Sequence, residues 1–145
     1  MLKLVIVLSK LACKAGSVKQ HYLRPDGLPP VSGYSHAVAW QGRTVVVSGQ
    51  VPLDAAGHLV GRDDPARQLD QVFANLAAAL AAAGASMSDV VKLGVYLTDL
   101  ADLAAFRQAR DRHLGPSDPP ASTLVQVSGL INADFRVEID AIAVV

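Results

Sequence analysis

The sequence is poor in the features that would tie it to several common chemistries. Cys13 is its only cysteine in 145 residues, which excludes an internal disulfide. The four histidines, His21, His36, His58 and His113, are widely separated and show no metal-ligand spacing, so no metal site is expected. Neither sign of charge is in excess, with 13 lysines and arginines against 13 aspartates and glutamates. A balanced chain has no overall electrostatic footprint for nucleic acid or anionic lipid, so neither is expected as a partner. No Gly-Lys-Ser/Thr stretch offers a phosphate-cradling loop. Long hydrophobic runs are missing too. The apolar run Leu4 to Leu8 is stopped by Ser9-Lys10, whereas a secretory core takes about 7–15 apolar residues and a membrane span about 18–20. Residues 1–18 therefore read as a loosely attached N-terminal arm ahead of one domain over 19–145, with the cytoplasm as the expected location.

What is present suits a packed core: 51% hydrophobic and 18% charged residues describe a globular chain. After a lead-in punctuated by Pro25, Gly27, Pro29 and Pro30, the short apolar runs His36 to Gln41 and Thr44 to Ser48 flank Gly42 and read as a hairpin. Asp54 to Asp64 is a polar loop. Asp64-Pro65 then supplies a helix cap and a proline at the first helical position, where its missing N–H costs nothing. Leu69, Val72, Phe73, Leu76 and Leu80 recur at helical spacing, and Gly84 closes the helix. Val91, Leu93, Val95 and Leu97 alternate with more polar residues, which marks a strand with one buried face. Asp99 caps a second helix with Asp102 near its positive end; Leu103, Phe106 and Leu114 form its apolar stripe, and Gly115-Pro116 ends it. Arg107, Arg110 and Arg112, with Asp111 and His113, read as its solvated face. Two further strands follow, around Thr123 to Val127 and from Val137 to Ala143.

Strands joined through helices tend to run parallel, so the order predicts an α+β chain with a mixed sheet and two helices on one face. Two helices shield only one face. The other is expected to carry Leu124, Ile142 and Val144 beside Glu138 and Gln126, and an apolar face without cover calls for a partner, most simply copies of the same chain.

Four segments resemble one family in the order it has them. Val46-Val47-Ser48-Gly49-Gln50-Val51-Pro52 resembles its strand end, and Gln68 to Asp89, with Asn75 inside and Ala83-Gly84 at the close, its first long helix. Val91 to Leu100 is similar to its third strand and following cap, and Val137 to Val144 to its closing strand. On these motifs the chain, from about residue 20 to the end, is identified as a member of the RidA/YjgF family, also called endoribonuclease L-PSP-like. The resemblance implies a chorismate-mutase-like fold and a homotrimer whose sheets form a central barrel, with small-molecule clefts between neighbouring subunits. It also implies hydrolysis of an enamine or imine metabolite such as 2-aminoacrylate to a 2-keto acid and ammonia, without metal or cofactor.

Water attacking a C=N carbon needs an orienting group, a proton source and an anchor for the substrate. By resemblance Glu138 positions the water, Tyr34 and Ser48 line the cleft, and Gly49 admits a close backbone approach. The anchor in the family is an arginine, and the matching position here is Ser122; Leu124 stands where the family often has cysteine. A serine hydroxyl offers neither charge nor a bidentate fork. A charge-assisted hydrogen bond contributes roughly 1.5–3 kcal/mol, about 10- to 150-fold in affinity, so the exchange predicts weak handling of 2-aminoacrylate unless Arg24, Arg43 or Arg136 substitutes. The alternative to a deaminase is a non-catalytic trimer binding a metabolite or protein through the same clefts. A ribonuclease, which lacks a histidine pair or basic groove here, stands behind both.

Overall fold

The computed structural model describes residues 17–145; the arm expected over 1–18 lies outside the described residues as far as position 16, as does Cys13. Its elements run β1 (Val18–Tyr22), β2 (Ala37–Gln41), β3 (Thr44–Gln50), α1 (Pro65–Ala82), β4 (Val90–Leu97), α2 (Leu103–Leu114), β5 (Ala121–Gln126) and β6 (Val137–Val144), with short 3-10 turns before β4 and α2. Four strands make the main sheet in the order β3-β6-β4-β5. β6 is antiparallel to both neighbours and β5 is parallel to β4, which makes the sheet mixed, as the helix-linked strands predict.

The core forms where α1 and α2 lie on the same side of this sheet. Leu69, Val72, Phe73, Leu76 and Leu80 of α1 meet Leu93, Val95, Leu97, Ile139 and Ala141 of the strands, all buried. Asp64 caps α1 by accepting from the Arg67 N–H at 3.1 Å. Inside the first turns, Gln68 is fully buried and donates to the carbonyls of Gly61 (3.2 Å) and Asp134 (2.9 Å). Its Oε1 accepts from the Arg136 N–H at 2.8 Å. One amide thereby joins the start of α1 to the segment that enters β6. Asp99 caps the 3-10 turn that leads into α2, and not α2 itself, accepting from the Ala101 N–H at 2.8 Å. Asp102 does something else: it is buried, and Arg136 grips both of its oxygens at 2.7 and 3.0 Å.

Three expectations change. The strands around Gly42 form no hairpin with each other. β2 pairs with β1 in a separate two-stranded sheet, and the turn hands β3 to β6 instead, where Arg43 and Val145 exchange both backbone hydrogen bonds at 2.7 and 3.0 Å. Val144 is buried, because that same turn lies against it. Leu124 and Gln126 belong to the covered side. β5 pairs with β4 so that Ser122, Leu124 and Gln126 stand opposite Leu93, Val95 and Leu97, which face the helices. Strand partners in register share a face. β5 carries apolar residues at both parities, so its alternation could not choose the side.

Candidate functional site

The residues singled out from the sequence fall into two groups on opposite faces of the sheet. The first lies on the uncovered face. β3 carries a bulge between Val47 and Gln50, so Ser48 and Gly49 together span the place of Asp140 on β6, between the Val47–Ala141 and Gln50–Ile139 pairs. The bulge brings the β3 backbone up to Glu138. A methyl group built on Gly49 would lie 2.0 Å from Glu138 Oε1, so only glycine leaves the carboxylate where it is. Gly94 of β4 plays the same part for Asp140, whose Oδ2 would be 2.5 Å from such a methyl. Tyr96, paired in register with Glu138, donates its hydroxyl to Asp140 Oδ2 at 3.1 Å. That hydrogen bond, and then the charge of the same carboxylate, hold the Tyr96 phenol above its ordinary range, with a smaller push from Glu138. Ser48 is exposed beside them.

Gly49 also borders a 540 Å³ cleft between the end of β3 and α1. Asn75 explains why that cleft keeps its shape: its amide nitrogen donates to the carbonyls of Val51 (3.0 Å) and Leu53 (2.9 Å), fastening the loop after β3 to the helix.

The second group lies beside α2, at the free edge of β5. Tyr34, Ser122 and Leu124 line one cavity of 280 Å³ together with Phe106, Arg107 and Arg110. Tyr34 arrives there because the segment before β2 is clasped to the start of β5. The Ser35 N–H donates to the Pro120 carbonyl at 3.0 Å, its hydroxyl donates to the Pro119 carbonyl at 2.5 Å, and Ser35 bridges to Ala121 as a parallel partner. His21 of β1 reaches the same joint through Nδ1, 3.1 Å from the Pro119 carbonyl. Ser35 is buried, so this joint is a packed seam and not a reactive pair.

None of the three cations that the sequence nominated lines this cavity. Arg43 donates to the Ala83 carbonyl at the end of α1, and Arg136 is taken by Asp102. The cations that do line it are Arg107 and Arg110, which helical spacing assigned to a solvated face. The Arg110 side chain is only 12% exposed. No local signal marks it, since the backbone it packs against, at Gly33, is distant in sequence. Among the described residues no cluster of three or more histidine, cysteine, aspartate or glutamate side chains could hold a metal ion. None of their helices is long and apolar enough to cross a membrane.

The α+β architecture and its comparison with known proteins define the class. The family described as Endoribonuclease L-PSP matches residues 25–145, and the chain belongs to it, the RidA/YjgF family. Protein DfrA of Myxococcus xanthus is 41% identical over 124 residues, which cover 84% of this chain and 93% of that protein. A protein named 3-aminoacrylate deaminase RutC, from Acinetobacter baylyi, is 34% identical over 119 residues, covering 82% and 93%. Among solved structures, the Rid-family protein YyfB from Yersinia pestis superposes with a TM-score of 0.79 at 37% identity, over 88% of this chain and 98% of that one.

Proposed function

We propose that the protein is a cytoplasmic homotrimer with small-molecule clefts between subunits, and that it hydrolyses an enamine- or imine-type metabolite there without a metal. The observation that carries this reading is the partition of the site. Glu138, Ser48 and Gly49 lie on a sheet face that no element among the described residues covers, while Tyr34 and Ser122 lie at the far edge, beside α2. A reaction that needs both sets needs a neighbouring copy to bring the second set against the first. The exposed Val46, standing in register beside Ile142 on the same open face, supports burial against such a copy.

The chemistry then follows from the side chains. An enamine reaching the cleft tautomerises to its imine. Glu138, held against the Gly49 backbone, orients a water, takes one of its protons as the oxygen bonds to the C=N carbon and passes that proton to the nitrogen, giving a carbinolamine. Transfer of the remaining hydroxyl proton to the nitrogen then breaks the C–N bond, so ammonia leaves with both water protons and a carbonyl remains. Each atom is accounted for with water as the only co-reactant. Positioned proton transfer of this kind contributes about 10²–10⁴-fold. A second reading, binding without turnover, is favoured by one observation: Ser122 stands at the anchor position.

Ammonia release decides between them. The native protein should release ammonia from at least one imine generated in situ by an amino-acid oxidase, and Glu138→Gln should lower that rate by about 10²-fold or more at unchanged oligomeric mass. Release that survives in Glu138→Gln overturns the role of Glu138. A trimer inert towards the whole imine series leaves the binding reading in place.

A further inference from the structure

We infer that Arg110, reaching in from α2, is the anion anchor of this cleft, and that the ligand it selects is a carboxylate carrying an apolar extension. The inference rests on the cleft assigned above but adds what that cleft recognises. Ser122 removes a cation from the β5 wall of the 280 Å³ cavity; Arg110 supplies one from the opposite, helical wall.

The guanidinium is fixed in place from several sides. Its Cζ lies 5.9 Å from the centroid of the Phe106 ring, a cation–π contact within the same helix. Its other neighbour is the backbone of Gly33, where a methyl group would lie 2.2–2.5 Å from the Arg110 Nη2, Cζ and Nη1 atoms. Gly33 has φ +77°, a conformation that disfavours any side chain, and a side chain there would displace the guanidinium. Asp111, 64% exposed, accepts from Nε at 2.8 Å and lies 2.7 Å from Nη2. Five N–H groups are available on a guanidinium; engaging Nε–H and one Nη2 hydrogen leaves three. Arg110 is therefore an ordered, largely buried cation with donors to spare, which lowers the ordering cost of binding an anion. Arg107 lines the same cavity from one turn earlier and is exposed, adding positive potential.

Ser32 and Arg110 are shared with an adjoining cavity of 350 Å³, whose walls include Leu23, Leu114, Pro116 and Pro119. The guanidinium thus stands between the two cavities, the second of which sets these apolar walls beside Asp111. A ligand whose carboxylate meets Arg110 has apolar room beside that charge, which a two-carbon side chain does not fill. Preference should run towards acids with longer aliphatic chains and away from the smallest.

Direct binding separates this inference from turnover. Calorimetry with α-ketocaproate, its neutral amide and pyruvate should rank the three with α-ketocaproate tightest. Arg110→Met, which keeps the apolar stem over Phe106, should weaken α-ketocaproate at least about 10-fold and leave the amide unchanged. Ser122→Asp, placed at the strand edge where folding is not at stake, should do the same by offering Arg110 an internal carboxylate. Adding Ser122→Arg to Arg110→Met should recover the acid. Equal losses for acid and amide, or no loss for the acid in either single variant, overturn the inference. A failed deaminase assay with Arg110-dependent binding would remove the reaction and leave the anchor.

Discussion

The two faces of the main sheet are built on different rules. On the covered face β4 and β6 present Leu93, Val95, Leu97, Val137, Ile139 and Ala141, all buried against two helices, and the polar side chain buried among them, Gln68, is fully paired. On the open face the same strands present Lys92, Tyr96, Glu138, Asp140 and Ile142, half-buried, with Val46 74% exposed beside them. There, two glycines make room for two carboxylates. The covered face is complete within one chain. The open face is arranged around charges and an exposed apolar side chain, and stability is supplied from the other side.

That contrast can be broken in order of expected effect. Phe73→Ala on the covered side removes a fully buried ring and should cost about 3–5 kcal/mol, read from chemical denaturation. A loss as small as a surface substitution would mean that the core is not where stability resides. Val46→Lys on the open side should leave each subunit folded, with circular dichroism unchanged, but lower the mass seen by light scattering to that of a single chain. An unaltered mass would show that the copies do not meet on this face.

The smallest effect sharpens the electrostatics. Asp140→Asn removes the main cause of the raised Tyr96 pKa, so the corresponding phenolate transition in an ultraviolet pH titration should fall back towards about 10. The sign for stability follows. A phenol raised in the folded state contributes stability below its unfolded pKa, and loses it as pH climbs through the folded value. The variant should accordingly lose less stability than the native protein on alkaline titration; an identical transition in both would separate Tyr96 from Asp140.

Much of the covered face was legible because burial imposes period. α1 repeats its apolar residues at helical spacing and carries Asp64-Pro65 at its start; β4 and β6 alternate, and their interior residues follow that alternation. β1 was not legible, since Val18-Lys19-Gln20-His21-Tyr22 sits half-buried on β2 alone and no core selects its pattern. β5 showed its strand but hid its face, because Thr123, Leu124 and Val125 offer apolar surface in both directions. Of the site, Tyr34, Ser122 and Leu124 do share a cavity, and Ser48, Gly49 and Glu138 do cluster, but their separation onto opposite faces depends on register. Arg110 was hidden for another reason. It packs against the backbone of a glycine 77 residues away in sequence, and no local pattern encodes such a meeting.

Gln68 has a consequence for how the molecule ages. Its amide is neutral at every pH, so the joint between α1 and the β6 lead-in does not titrate. Hydrolysis of that amide to glutamate would replace the donor facing the Gly61 and Asp134 carbonyls with a second acceptor, and would bury a charge with no cation assigned to it. Full burial shields the group from the water that would convert it. The packing that depends on Gln68 is also what preserves it, and any loosening of α1 would expose both to the same slow chemistry.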